Sequence, residues 1–280
     1  MDAGEGSMSG RTVLVTGATG GIGLETARSL AKMGADVVVG ARDTVRGHAV
    51  VEEITRGGGR AELLEVDLAS FPSVRRAAER FESAHSRLDV LVNNAGIVVR
   101  DRRLTQDGHE RTWQTNFLSH FLLTRLLLPS LKSAVKPRVV NVSSEGHRSG
   151  RLDWDNLELE RGFRGFRAYA NTKLAQILFT RELARREPMI AVNALHPGAI
   201  ATGIWRAAPP FAQKILGLVL PPPRKGAQPV VRLAAAPELD GVTGRYFNKF
   251  REAAPSRAAT SDADAARLWK VAEEATGALW

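Results

Sequence analysis

The 280-residue sequence contains no cysteine, which excludes a disulfide framework, a thiolate nucleophile and a zinc–sulfur centre. Only two tyrosines occur, and aromatics make up 6% of the chain, too few for a stacking platform on nucleic acid. There is no apolar run of about eighteen residues, so no membrane-spanning helix is expected. The greasiest stretch, Phe121–Leu131, is broken by Thr124, Arg125 and Pro129. The six histidines are scattered without ligand spacing, and no metal site is expected. The opening MDAGEGSMSG lacks the charged-then-apolar pattern of a secretory signal. A cytoplasmic protein is therefore expected, with a flexible N-terminus over 1–10 and a single domain over 11–280.

Hydrophobic residues make up 44% and charged residues 25% of the chain, ordinary values for one soluble domain. The net charge of +9 raises nucleic-acid binding, which predicts a steep salt dependence. The basic residues are scattered, however. They gather only at Arg100, Arg102 and Arg103 and at Arg161, Arg164 and Arg167. A solvated arginine-rich surface is the favoured reading, and no nucleic-acid partner is expected.

Strand-like and helical runs alternate along the chain. Strands are expected at Arg11–Thr16, Asp36–Gly40, Ala61–Val66, Leu88–Val92, Arg138–Val142 and Ile190–Leu195. Helices are expected at Ile22–Met33, Thr44–Arg56 and Ser70–His85, around Gly108–Leu128, and around Tyr169–Arg186. This alternation predicts an α/β fold: a single Rossmann-type, doubly wound parallel sheet with helices on both faces. Ligands then bind at the carboxyl ends of the strands. The proline-rich segment at about 199–225 breaks the rhythm and reads as a substrate loop or lid.

The first strand runs into TGATGGIG, Thr16 to Gly23. Glycines at 17, 21 and 23 allow a tight turn and a close approach of backbone to phosphate, at the N-terminus of a helix. The second strand ends in VVVGARD, with Arg42 near the position where an NAD site would carry an acid. An arginine there suits a ribose 2′-phosphate, so NADP(H) is expected over NAD(H). The alternative for Arg42 is a plain surface charge. Asp43 is placed to cap the next helix.

Further polar groups fall where other strands end: Asn93-Asn94-Ala95-Gly96 and Asn141-Val142-Ser143-Ser144. Tyr169 and Lys173 lie four apart on one helical face. An ammonium there would lower the phenol pKa and suit it to proton exchange with a carbonyl or alcohol oxygen.

With TGxxxGxG, NNAG, a serine after the fifth strand, YxxxK and Pro197-Gly198, the chain resembles the short-chain dehydrogenase/reductase family over roughly residues 10 to 250. Within it, GARD at 40–43, TNFLSHFLLT at 115–124, VVNVSSEGHRSG at 139–150 and YANTKLAQILFTRELARR at 169–186 resemble the retinol-dehydrogenase-like branch. The resemblance implies an NADP(H)-dependent oxidoreductase interconverting a lipophilic alcohol with a ketone or aldehyde.

The resemblance also implies residue roles. Tyr169 is the general acid or base, and Lys173 lowers its pKa and binds the nicotinamide ribose. Ser144 bonds the substrate oxygen, with Ser143 the adjacent candidate. Asn116 holds a water that links Lys173 to solvent. Gly17, Thr19, Gly21, Ile22 and Gly23 meet the pyrophosphate, and Asp67 and Leu68 flank adenine. Asn94 and Gly96 border the adenosine ribose, while Pro197, Gly198 and Thr202 lie near the nicotinamide. The 25 residues from Ser144 to Tyr169 exceed the family's commonest spacing, and the branch shares this insertion. The N-terminal membrane-anchoring helix of many animal branch members has no counterpart in MDAGEGSMSG. The helices around 108–128 and 169–186 form the family's usual dimer or tetramer surface, so a homo-oligomer is expected.

Other residues stay open. His147 either touches substrate or is a solvated loop residue, and His196 is explained by backbone geometry. The apolar patch 215–220, with Trp205 and Phe211, is either a lid over a greasy substrate or core. A cofactor sensor or scaffold without turnover is the alternative function, although all four catalytic positions are filled.

Overall fold

The computed structural model of the chain describes residues 7–200 and 220–280. The β-branched run Thr12–Thr16 forms β1, and Asp36–Ala41 forms β2. They are followed by β3 Arg60–Glu65, β4 Val90–Asn93, β5 Arg138–Val142 and β6 Ala191–His196. Two short strands, β7 Tyr246–Asn248 and β8 Arg251–Glu252, complete the sheet. Its order is β3-β2-β1-β4-β5-β6-β7-β8. All neighbours run parallel except β8, which folds back antiparallel on β7. The expected parallel sheet thus gains an antiparallel edge, because only two residues separate β7 from β8 and a hairpin reverses direction.

Register fixes where the site lies. Thr16 pairs with Gly40, Asn93 with Asn141, Val142 with Leu195, and His196 with Asn248. Strand order reverses between β1 and β4, which opens the ligand crevice expected of such sheets.

The helices are α1 Gly21–Lys32, α2 Thr44–Arg56, α3 Phe71–Ala84, α4 Arg111–Trp113, α5 Ser119–Leu126, α6 Leu128–Lys132 and α7 Gly165–Arg186. Beyond the residues 201–219 come α8 Pro223–Ala235 and α9 Asp262–Thr276. Asp43 caps α2 by accepting from the Arg46 amide at 3.0 Å. The long helix expected over 108–128 is divided: a π turn, Gln114–Leu118, separates α4 from α5. π turns widen the backbone spiral and recur at functional sites.

One expectation changes. The N-terminal boundary at residue 10 moves, because Met8 is fully buried and its amide donates to the Met33 carbonyl at 2.9 Å. The expected lid at 199–225 falls largely outside the described residues, as do Thr202, Trp205, Phe211 and residues 215–219 of the apolar patch. Its end is helical: Pro223 opens α8, where a proline's missing N–H costs nothing. Part of the helical surface expected to form an oligomer face is covered within the chain itself. Helix α9 lays Trp269 against Phe121 and Phe179, at ring separations of 5.0 and 5.9 Å. Residues 119–124 and 168–180 are consequently buried in the single chain, and burying side chains of this size contributes about 1.5–3 kcal/mol each. Near the start of α7, Phe166 remains exposed.

Among the described residues, no helix is long and apolar enough to cross a membrane, and no cluster of ligand-type side chains could hold a metal ion.

Candidate active site

The glycine turn follows β1. Gly17 has a φ of +66° and approaches Ala95 so closely that a Cβ would lie 3.0 Å from the Ala95 Cα. A Cβ at Gly23 would fall 2.4 Å from both the Gly17 carbonyl oxygen and Asn94 Nδ2. Helix α1 starts at an extended Gly20, with no side-chain cap and no acidic residue in its first turn. Unpaired amides of Gly21, Ile22 and Gly23 beside a side-chain-free cradle fit the pyrophosphate of a dinucleotide. Thr19 lies half-buried in the same turn.

The other strand ends supply the rest of the crevice. Arg42 follows β2, is exposed, and makes no ion pair among the described residues. After β3, Asp67 is half-buried and accepts from the Ala69 amide at 3.0 Å. Leu68 instead turns its side chain into the core. After β4, Asn94 donates from Nδ2 to the Thr16 carbonyl at 2.8 Å. A Cβ at Gly96 would lie 3.6 Å from both Lys173 Nζ and Asn116 Oδ1, in ordinary contact. After β6 come a buried Pro197 and Gly198, whose φ is +106°.

Ser144, Tyr169 and Lys173 meet beyond β5. The two adjacent serines divide their tasks. Ser143 is buried and donates from Oγ to the Lys173 carbonyl at 2.8 Å, so it serves the backbone. Ser144 is half-buried and accepts from the Gly146 amide at 3.1 Å; its Oγ and the edge of the Tyr169 ring both border Gly146. Tyr169, one turn into α7, is 7% exposed. Burial pushes its phenol up to about 12, with the nearby Ser144 hydroxyl pulling the other way.

Lys173 is buried and donates from Nζ to the Val142 carbonyl at 2.8 Å and to Gln176 Oε1 at 2.9 Å. Burial pushes its ammonium down to about 7. The sequence suggests a lysine that lowers the phenol pKa; within the folded chain, burial is the larger influence on both groups.

Asn116 sits in the π turn. Its side chain accepts from the Ile97 amide at 2.8 Å and donates to the Ile97 carbonyl at 3.0 Å. Its own carbonyl accepts from Gln176 Nε2 at 2.9 Å and faces His120 Nδ1 at 3.1 Å. A carbonyl oxygen has two lone pairs, and both are used here by side chains. The Asn116 carbonyl is therefore already satisfied by Gln176 and His120.

Sequence reasoning missed Gln176, His120 and Thr16 and left His147 open. His120 is fully buried and burial pushes it down to about 4, so it is neutral. Because Nδ1 faces a carbonyl it carries the proton, and Nε2 accepts from the Thr16 hydroxyl at 3.1 Å. The Thr16 oxygen accepts in turn from the amides of Asn94 and Ala95 at 3.0 and 3.1 Å. His147 is neither solvated nor open to a ligand. It is buried between the Ser144 carbonyl, 2.7 Å from Nδ1, and the Ser256 amide, 3.0 Å from Nε2. It thereby ties the Ser144 loop to the C-terminal segment. The only advance signal for Gln176 is its i+3 spacing from Lys173.

Comparison with known proteins gives a concordant result. The short chain dehydrogenase family model matches residues 11–212. Retinol dehydrogenase 14 from Homo sapiens is 39% identical, over 98% of this chain and 88% of its own length. Polyprenol dehydrogenase from Mus musculus is 42% identical, over 96% of this chain and 84% of its own. The NADP active-site complex of RhlG from Pseudomonas aeruginosa is similar in structure, with a TM-score of 0.71 and 28% identity. That match covers 86% of this chain and 95% of the other.

Proposed function

The chain belongs to the short-chain dehydrogenase family and is an oxidoreductase; on that premise we propose that it interconverts a lipophilic alcohol with its aldehyde or ketone, using NADP(H) in preference to NAD(H). The observation that carries this reading is the meeting of Ser144, Tyr169 and Lys173 across the crevice from the glycine cradle. The NADP-bound relative and the exposed Arg42 after β2 support the cofactor choice. The names of the retinol and polyprenol relatives support the substrate class.

When bound, the nicotinamide cofactor supplies or takes up the hydride. Gly17, Thr19, Gly21, Ile22 and Gly23 would hold its pyrophosphate and Arg42 its 2′-phosphate. Asp67 and Leu68 would border its adenine, Asn94, Gly96, Tyr169 and Lys173 its riboses, and Pro197, Gly198 and Thr202 its nicotinamide.

The chain's own residues manage the proton. In carbonyl reduction, Ser144 donates a hydrogen bond to the substrate oxygen and Tyr169 delivers the phenolic proton to it. In alcohol oxidation the same proton returns to Tyr169. The positive charge of Lys173 favours the phenolate through which both directions pass.

The test is NADPH and NADH consumption by the purified protein against carbonyls from short aliphatic aldehydes to retinal and steroid ketones. Faster turnover with NADPH on the lipophilic members is expected. Faster turnover with NADH would overturn the role given to Arg42. Tight NADPH binding with no turnover would favour a cofactor sensor.

A further inference from the structure

Gln176 lies one turn beyond Lys173 on α7, and both side chains are almost fully buried. Its amide makes two bonds of opposite sense. Oε1 accepts from Lys173 Nζ at 2.9 Å, and Nε2 donates to the Asn116 carbonyl at 2.9 Å. The orientation is fixed by chemistry. A flipped amide would set NH₂ against the ammonium and an oxygen against a carbonyl oxygen. Neither end of the bridge can drift, because Asn116 is held by Ile97 and Thr172, and the Gln176 carbonyl accepts from the Thr180 hydroxyl at 2.8 Å.

We propose that Gln176 is a positioning residue that holds the Lys173 ammonium beside Tyr169 and fills the Asn116 carbonyl. This rests on the reading of Tyr169 and Lys173 as the proton-handling pair. Two consequences follow from the geometry. First, a buried ammonium is stabilised only by the acceptors around it. Among the described residues, Nζ donates to the Val142 carbonyl and to Gln176 Oε1, so Gln176 supplies one of the two acceptors. Second, a carboxamide passes a proton from its oxygen to its nitrogen only through an unfavourable imidic form, whereas a water passes it freely. Gln176 therefore anchors Lys173 without extending a proton path through Asn116.

The groups facing Lys173 Nζ bear on its titration. They are the Val142 carbonyl from β5, the Tyr169 ring at 5.4 Å, and Asn116 from the π turn near Gly96. His120, packed beneath them on α5, is neutral. No carboxylate is among these groups.

The test follows the Lys173 ammonium by NMR in protein labelled at lysine Cε, its resonance identified by its loss in Lys173→Arg. Gln176→Leu keeps side-chain bulk and removes the acceptor, so the midpoint should fall by about one pH unit. Gln176→Glu keeps the acceptor and adds a negative charge, so the midpoint should rise by about one unit or more. Thermal melts check that each variant is folded. A purely structural glutamine would leave the midpoint where it is, and folded variants titrating like the parent overturn the proposal. If the leucine variant does not fold, an unmoved midpoint in Gln176→Glu overturns it alone. The readout needs no turnover, so an inactive parent protein would sink the proposed function and leave this test standing.

Discussion

The Lys173 Nζ lies 5.4 Å from the centre of the Tyr169 ring, one helical turn away and in the same buried environment. Burial favours the uncharged form of each group, pushing the phenol up and the ammonium down. Each charged form is thus the natural partner of the other. Lys173→Met removes the cation that favours the phenolate. Alcohol oxidation should lose about 10²- to 10⁴-fold in kcat/KM, and its rise with pH should move to higher pH. A pH–rate profile that keeps its position would contradict this pairing.

Gly23→Ala tests the cradle. The added Cβ would sit 2.4 Å from the Gly17 carbonyl oxygen and from Asn94 Nδ2, which is itself bonded to the Thr16 carbonyl. Neither neighbour is a flexible side-chain tip, so overpacking should destabilise the fold by about 1–3 kcal/mol. NADPH affinity should fall with it. Thermal melting and fluorescence titration with NADPH check both, and an alanine variant that binds and melts like the parent would show that the turn can open.

Histidine burial sets an acid dependence. His120 is held neutral with its pKa pushed down to about 4, His196 likewise to about 4, and His147 is lowered in the same direction. The unfolded chain takes up these protons near pH 6.5 and the folded chain does so later. Stability is therefore full above about 6.5 and is lost as pH falls towards 4. His109, raised by its bond to Glu158, contributes in the opposite sense. His120 alone should account for roughly 2 kcal/mol between pH 6.5 and 5. Urea unfolding at the two pH values checks this, with His120→Gln expected to flatten the difference and an equal slope in parent and variant telling against it.

The proposed preference for NADP(H) rests on one exposed side chain, Arg42. Arg42→Ala should raise the KM for NADPH about tenfold or more, the value of a charged hydrogen-bond partner. The KM for NADH should stay unchanged. Equal effects on the two cofactors would reduce Arg42 to a surface charge.

Much of this was readable in advance, for physical reasons. Parallel strands buried on both faces appear as continuous apolar runs, so VVVGA and RVVNV were plain. The glycine turn and the Tyr169–Lys173 pair are local spacings. What escaped depends on contacts between distant segments. Trp269 covers Phe121 and Phe179 only once α9 has packed. The π turn at Gln114–Leu118 has the composition of an ordinary helix. The role of Gln176 needs the Asn116 carbonyl, which no side-chain pattern announces. His147 resembles a loop residue until Ser256 closes over it. The pKa directions of Tyr169 and Lys173 follow from burial, a property of the packed molecule.

The most direct test of the account is the turnover of Tyr169→Phe, compared with the parent under saturating NADPH and the best aldehyde of the panel. The variant keeps the buried ring of α7 and loses only the hydroxyl. Loss of about 10³-fold or more in kcat, with NADPH still bound, is the predicted result. A variant that turns over within about tenfold of the parent would remove Tyr169 from the proton transfer and contradict the account.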